Sequence, residues 1–220
     1  MSAIAASNHA ARMDAIYGVQ RHLYDLTRKY YLLGRDRLIA GLNAGPDTHV
    51  LEVGCGTGRN LVAAARRWPE ADFTGLDISS AMLNTAHRSV ERADLSSRIA
   101  LVEADACDFT SNPMMMRRFY DRIFMSYTLS MIPGWELAIE EAVGVLAPRG
   151  SLHIVDFGQQ EGLPCWFRSM LFAWLRKFHV SPRADMAAVL GDLAARNGMR
   201  LVFRPLYRGY AWEAVLTSEG

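Results

Sequence analysis

The chain has 220 residues, half of them hydrophobic, and a formal net charge of +1. That composition suits one globular domain with a sizeable core, and its near-zero charge sets up no global field that would draw it to nucleic acid. Cys55, Cys107 and Cys165 are odd in number and lack metal-ligand spacing, so they read as free thiols in a reducing compartment, with no metal expected. Residues Met1 to Ala11 lack the apolar core of a signal peptide, and no run of about 18 apolar residues is present to span a bilayer.

Residues 12 to 43 precede the regular part of the chain. Tyr17, Tyr24 and Tyr31 are seven residues apart, and Arg21, Arg28 and Arg35 repeat at the same interval. On a helix each set shares a face. This segment reads either as an amphipathic helix with half-buried tyrosines or as a helical lid, an aromatic and cationic wall over a ligand.

Val50, Leu51 and Val53 then form a short strand that feeds a glycine turn. Gly54, Gly56 and Gly58 let backbone approach a ligand with no Cβ in the way. Asn60 to Trp68 reads as a helix and Phe73 to Leu76 as a second strand, ending at Asp77, whose carboxylate suits the two hydroxyls of a ribose. A helix is expected over Ser79 to Glu91, capped by Ser79 or Ser80, and strands over Ile99 to Glu103 and Arg122 to Ser126. Trp135 to Leu146 reads as a helix closed by Pro148 and Gly150, and Ser151 to Asp156 as strand five. Alternation of this kind predicts a parallel sheet covered by helices on both faces. After a last helix, Met199 to Leu206 and Gly209 to Leu216 read as a hairpin about Tyr207-Arg208, so the last strand should run antiparallel.

Residues 157 to 183 form an insertion before the last helix. Within it, 163 to 183 has no acidic residue and carries Arg168, Arg176, Lys177 and Arg183. On a helical wheel, Trp166, Phe167, Met170, Leu171, Trp174, Leu175 and Phe178 fill a wide arc. Such a pattern fits a helix lying in a membrane interface; an internal lid or a homo-oligomer interface is the alternative.

Two features choose the ligand. A dinucleotide fingerprint wants glycine or alanine three positions after its second glycine, but Arg59 stands there and the third glycine is Gly58. The form Glu52-x-Gly54-x-Gly56-x-Gly58, with Asp77 beyond it, resembles motif I of the class I S-adenosylmethionine (SAM) methyltransferases. That resemblance implies a single α/β domain. Its Rossmann-like, seven-stranded, mostly parallel sheet would have an antiparallel last strand and helices on both faces. Residues 49–156 would form the SAM-binding core and 184–216 the final helix and hairpin.

The cofactor implied is SAM, with S-adenosylhomocysteine as product. Gly54, Cys55, Gly56, Thr57, Gly58 and Asn60 would face its methionine end, together with Glu52. Asp77 would hold the ribose, with Ile78 and Met82 flanking the adenine. Asp105 and Ala106 would recognise the adenine edge, and Ser126 and Tyr127 would lie between cofactor and acceptor. Tyr24 or Tyr31 would close over the methionine end. Tyr17, His22, Tyr127 and His153 are candidates to contact an acceptor amine; His153 also reads as an ordinary core histidine, and Asp156 is the better-placed acid.

A finer resemblance rests on Arg21 to Ile39, Leu51 to Asn60 and Phe178-His-Val-Ser-Pro-Arg183, which look like the bacterial betaine-lipid N-methyltransferases. It implies three SAM-dependent methylations of diacylglyceryl-homoserine. It also implies a cytoplasmic enzyme that touches the inner face of the membrane through residues 163–183. Phosphatidylethanolamine and a soluble small amine stay open as acceptors, as does a non-catalytic SAM-binding scaffold. Nucleic-acid methylation is disfavoured, because Ser126-Tyr-Thr-Leu-Ser130 follows strand four instead of a base-methylating motif.

Overall fold

The computed structural model describes residues 32–115 and 119–219. In chain order its elements are α1 (Arg35–Gly41), β1 (His49–Val53), α2 (Arg59–Arg67), β2 (Asp72–Asp77), α3 (Ser80–Arg92), β3 (Ile99–Glu103), β4 (Tyr120–Ser126), α4 (Trp135–Gly144), β5 (Leu146–Phe157), α5 (Cys165–Lys177), α6 (Met186–Arg196), β6 (Met199–Leu206) and β7 (Ala211–Ser218). The seven strands make one sheet in the order β3-β2-β1-β4-β5-β7-β6. β7 pairs antiparallel with both β5 and β6, and the remaining pairs are parallel. The expected Rossmann-like α/β class, with its reversed last strand, is therefore the observed one.

Strand periodicity divides the core into two layers. Leu51, Val53, Ile123, Met125, Leu152 and Ile154 point into one layer, which α4 and α6 cover through Trp135, Ile139, Leu190 and Leu193. Val50, Phe124, Val155 and Phe157 point into the other, covered by α1, α2, α3 and α5 through Ile39, Leu61, Leu83 and Leu175. The strands are apolar on both faces because helices bury both. Further ties fix the helices. Trp68 Nε1 donates to the Ile39 carbonyl at 2.9 Å, joining α2 to α1. Arg98 donates to the carbonyls of Ala65 at 2.8 Å and Ala71 at 3.0 Å, so a cation closes the carboxyl end of α2.

Boundaries differ from the sequence reading chiefly in two places. The helix expected to reach Leu146 stops at Gly144, and Leu146 already pairs with Tyr120 in the sheet. A register shift follows between Tyr120 and Arg122, so Pro148-Arg149-Gly150 is an irregular strand entry, not a helix stop. Gly150 is required there, since a Cβ would lie 2.7 Å from the Ala147 carbonyl oxygen. In the hairpin, β7 begins at Ala211, because Tyr207, Arg208 and Gly209 all take positive φ and Leu206 pairs with Ala211. Most of the expected lid, residues 12–31, lies outside the described residues; α1 is the part seen.

Of the two serines proposed as the cap of α3, Ser79 does it: its side chain accepts from the Met82 amide at 3.3 Å. Ser79→Ala is expected to cost about 1 kcal/mol, which for a chain of this size lowers Tm by about 3 °C. Calorimetric melting checks this; an unchanged Tm would remove the cap from the account.

Candidate active site

The carboxyl ends of β1, β2 and β4 meet where the strand order reverses, which is where open α/β sheets bind ligands. A cavity of about 840 Å³ opens there, well within the range of small-molecule sites. Its floor is the glycine turn. Gly54, Gly56 and Gly58 have φ of 73°, 54° and 73°, a region that residues with a Cβ rarely adopt. Gly54 is doubly constrained, since a Cβ would lie 2.3 Å from Thr128 Cγ2. Gly58 packs against Ala86 of α3, so it holds the turn to the helix from behind the cavity.

Backbone bonds fix the turn to β2. The amides of Gly54 and Cys55 both donate to the Leu76 carbonyl at 2.8 Å. Asp77 completes the fixing: Oδ2 accepts from the Gly56 amide at 2.8 Å and Oδ1 from the Ser79 amide at 3.0 Å. The Asp77 carboxylate is thus engaged by the backbone through both oxygens at the edge of the cavity. Glu52 stands beneath the turn, buried, and accepts from Asn60 Nδ2 at 2.8 Å. Asp105 accepts from the Cys107 amide at 2.9 Å, which sets its loop against the cavity.

Most of the expected cofactor residues come together. Gly54, Cys55, Gly56, Thr57, Asn60, Asp77, Ile78, Met82, Asp105, Ala106 and Ser126 all line the cavity, while Glu52 and Gly58 support it from behind. The Ser126 hydroxyl is buried with no hydrogen-bond partner, a polar atom available to a ligand. Cys55 is buried, and its thiol is pushed well up by burial and then by Asp77, so it stays a neutral filler of the turn.

The acceptor-side residues divide differently. Tyr17, His22, Tyr24 and Tyr31 lie outside the described residues. Tyr127 borders the cavity, but it is almost fully buried and its hydroxyl donates to the Leu33 carbonyl. Burial first, then the neighbouring Tyr210 and Asp156, push that phenol far up, so it is a tie for the N-terminal segment and not a ready proton acceptor. Asp156 is also corrected. It is buried off the cavity wall, with Oδ2 accepting from the Ser130 amide at 3.0 Å and Oδ1 from the Phe157 amide at 2.7 Å. Strand alternation turns it beneath the loop after β4, and burial raises its pKa. His153 is a core residue, 2.8 Å from Ser151 Oγ, with its pKa lowered to about 4 by burial and then by Arg122.

Several functional neighbours carry no sequence motif. Thr128, Met131 and Ile132, in the loop after β4, line the cavity. Arg183 braces that loop, donating to the carbonyls of Leu129 at 3.0 Å and Ile132 at 2.6 Å, while the Ser181 amide donates to the Ser130 carbonyl at 2.8 Å. Phe178 and Met131 pack on Met82, so the insertion touches both cavity walls. Arg35 lines the cavity from the start of α1. Its place in a seven-residue repeat of arginines was the only signal for it in the sequence.

Residues 50–150 match the family model described as a methyltransferase domain. The chain is 31% identical over 117 residues to trans-aconitate 2-methyltransferase of Paracidovorax citrulli, a match that covers 53% of this chain and 42% of that protein. It is 28% identical over 200 residues to the ubiquinone/menaquinone biosynthesis C-methyltransferase UbiE of Bartonella tribocorum, covering 84% and 69%. Among solved structures, the plantazolicin methyltransferase BpumL, in complex with S-adenosylhomocysteine, superposes with a TM-score of 0.71 at 15% identity, covering 98% of this chain and 97% of that one. At that identity the likeness is one of fold. The chain spans about half or less of several curated relatives, 42% and 49% of two of them.

The fold is thus the one seen in solved methyltransferases such as BpumL, and residues 50–150 match a methyltransferase-domain model. The cavity fits SAM: a glycine turn with left-handed backbone at its floor, the Asp77 carboxylate on its wall, and an unpartnered buried hydroxyl at Ser126. No group of three or more metal-ligating side chains occurs among the described residues.

Two outcomes follow for the site. Asp77→Asn keeps the volume but loses the charge, and is expected to weaken SAM binding at least about 10-fold; equal affinity by calorimetry would detach the ribose from Asp77. His153 has a folded pKa below its ordinary value, so acid protonates the unfolded chain first. Stability should therefore fall as pH drops from 6.5 to about 4, by about 3 kcal/mol in all. His153→Gln should flatten that part of a denaturation-against-pH curve.

Proposed function

We propose that this protein transfers methyl groups from SAM to the amine of a lipid head group. The head group we favour is diacylglyceryl-homoserine, converted in three steps to diacylglyceryl-N,N,N-trimethylhomoserine. The amine acceptor rests on the resemblance over residues 21–39 and 178–183. The curated relatives are named for O- and C-methyl transfer, and they supply the class of reaction only.

The observation that carries the lipid reading is the outer face of α5. Trp166 is 68% exposed and Met170 55%, one helical turn apart. Arg168, Arg176 and Lys177 are exposed on the same helix, which has no acidic residue. Water-exposed tryptophan and methionine beside cations suit the interface of an anionic bilayer. No described helix is long and apolar enough to cross a membrane; the contact proposed is peripheral, at the inner face. The opposite end of α5 runs into Phe178, which packs on Met82 of the cavity wall. A lipid held at α5 would therefore present its head group near the cavity.

Bound SAM supplies an electrophilic methyl group on its sulfonium. The chain's part is positioning and exclusion of water. Asp77 and the glycine turn orient the nucleoside, Met82 and Ile78 flank the base, and the braced loop Thr128–Gly134 closes the acceptor side. Tyr17 and His22 are the proposed groups for the acceptor amine and its proton.

Mass spectrometry of lipids after incubation with SAM tests the reading. Vesicles with diacylglyceryl-homoserine should gain one to three methyl groups, and vesicles with phosphatidylethanolamine none. Gain on phosphatidylethanolamine alone would change the head group. No gain on either would move the search to soluble amines and make α5 a lid. Trp166→Ala with Met170→Ala should abolish sedimentation with anionic vesicles. Trp174 is unsuitable for this test, because its ring packs 4.9 Å from Phe178.

A further inference from the structure

The net charge of +1 hides a division between the two faces of the sheet. Helices α2, α3 and α5, which with α1 cover one face, carry eight arginines and lysines against a single acid, Glu91. All eight cations are exposed. On the other face, α4 carries Glu136, Glu140 and Glu141 and no cation, and α6 carries Asp192 and Arg196. Among the described residues, none of the eight cations has a carboxylate partner; the ion-pair contacts there involve Arg35, Arg37, His49 and Arg196. Uncharged groups hold several of them instead. Arg92 Nε donates to the Arg88 carbonyl at 2.9 Å and Arg88 Nε to the Asn84 carbonyl at 3.2 Å. Arg67 and Arg168 lie over the rings of Trp68 and Phe172 at 5.6 and 5.5 Å. The charge is thus fixed in place without being neutralised.

Helix-end electrostatics accounts for the cations in last turns, Arg66, Arg67, Arg92, Arg176 and Lys177. It does not account for Arg168 in the first turn of α5, where the dipole disfavours a cation. Nor does it account for the dearth of acids, since soluble surfaces intersperse both signs. The basic surface is also joined to the site. Phe178, just after α5, packs on Met82 of α3. The cavity runs outward between α2 and α3, where Ala63 and Ser89 are small enough to leave a groove and Arg66 and Arg92 flank it. Trp166 and Met170 add exposed apolar area on α5.

We propose that the whole α2–α3–α5 face is a docking surface whose partner is a bilayer of anionic phospholipid, with Arg66 and Arg92 forming a second contact beyond α5. This deepens the proposed function and rests on its lipid reading. Charge complementarity sets the sign of the partner. The exposed tryptophan and methionine select a bilayer over a nucleic acid, because a membrane interface buries such side chains and a phosphate backbone does not. Diacylglyceryl-homoserine has no phosphate, so the anions contacted belong to the surrounding lipid and not to the acceptor.

Co-sedimentation of the full chain with vesicles tests this, using phosphatidylcholine alone or equal parts phosphatidylglycerol and phosphatidylcholine. Binding is expected to the anionic vesicles only, and to weaken as salt rises. Arg66→Gln with Arg92→Gln should lower the affinity at least about 10-fold, while Arg66→Lys with Arg92→Lys keeps the charge and should keep the binding. Glu136→Gln raises the net charge on the opposite face and should change nothing. If the Arg66→Gln, Arg92→Gln protein binds as the unaltered one does, docking is through α5 alone; this inference falls and the proposed function stands. Tighter binding of Glu136→Gln would make net charge the cause and overturn the assignment to this face. Preference for a mixed-sequence single-stranded RNA over the anionic vesicles, lost in Arg66→Gln with Arg92→Gln, would give the surface to nucleic acid and overturn the bilayer. Failure of the unaltered protein to bind either vesicle overturns the lipid reading and this inference with it.

Discussion

The Asp77 carboxylate is the constraint on which the site depends. It accepts one amide from the glycine turn after β1 and another from the start of α3. A single side chain thereby fixes three segments: the end of its own strand, the glycine turn, and the helix whose Met82 and Thr85 line the cavity. Charge-assisted bonds from backbone amides are strong and leave little freedom. The turn can hold three left-handed glycines in sequence because this carboxylate and the Leu76 carbonyl satisfy its amides.

The second half of the cavity is built on the opposite principle. The loop Thr128–Gly134 has no glycine fingerprint and little regular structure. It is held from outside, by the Asp156 carboxylate on the Ser130 amide and by Arg183 on two carbonyls. Arg183 also lies over the Trp135 ring at 5.9 Å, so the start of α4 shares the brace. These braces come from β5 and from the segment after α5. The insertion is therefore mechanically part of the acceptor wall, and the proposed membrane helix and the cavity are joined through Phe178, Met131 and Met82. Residues that looked chemical in the sequence hold backbone instead: Asp156 braces this loop, and Tyr127 ties the segment before α1 through the Leu33 carbonyl.

Much of this was legible in the chain. β3 fell at Ile99–Glu103 as expected, and the helix after Asp77 began at its serine cap. Leu146 to Gly150 was misread, because Pro148 and Gly150 mark both a helix stop and a bulged strand entry, and only pairing with β4 separates the two. The glycine turn and Asp77 were readable for a local reason: left-handed backbone demands glycine, and the acid ending the next strand follows at a spacing set by one strand–helix–strand unit.

What the sequence determined by itself was the fold class, the glycine turn and the acid at the end of β2, since each follows from short-range backbone chemistry and strand periodicity. What only the tertiary structure decided was the fate of isolated polar side chains. Arg35 faces a cavity formed by strands it does not adjoin in sequence, Asp156 turns under a loop 26 residues away, and Arg183 reaches carbonyls more than 50 residues distant. Long-range contacts of this kind depend on how sheet and insertion pack. No local pattern encodes whether a given carboxylate or guanidinium will meet solvent, a ligand or a backbone amide.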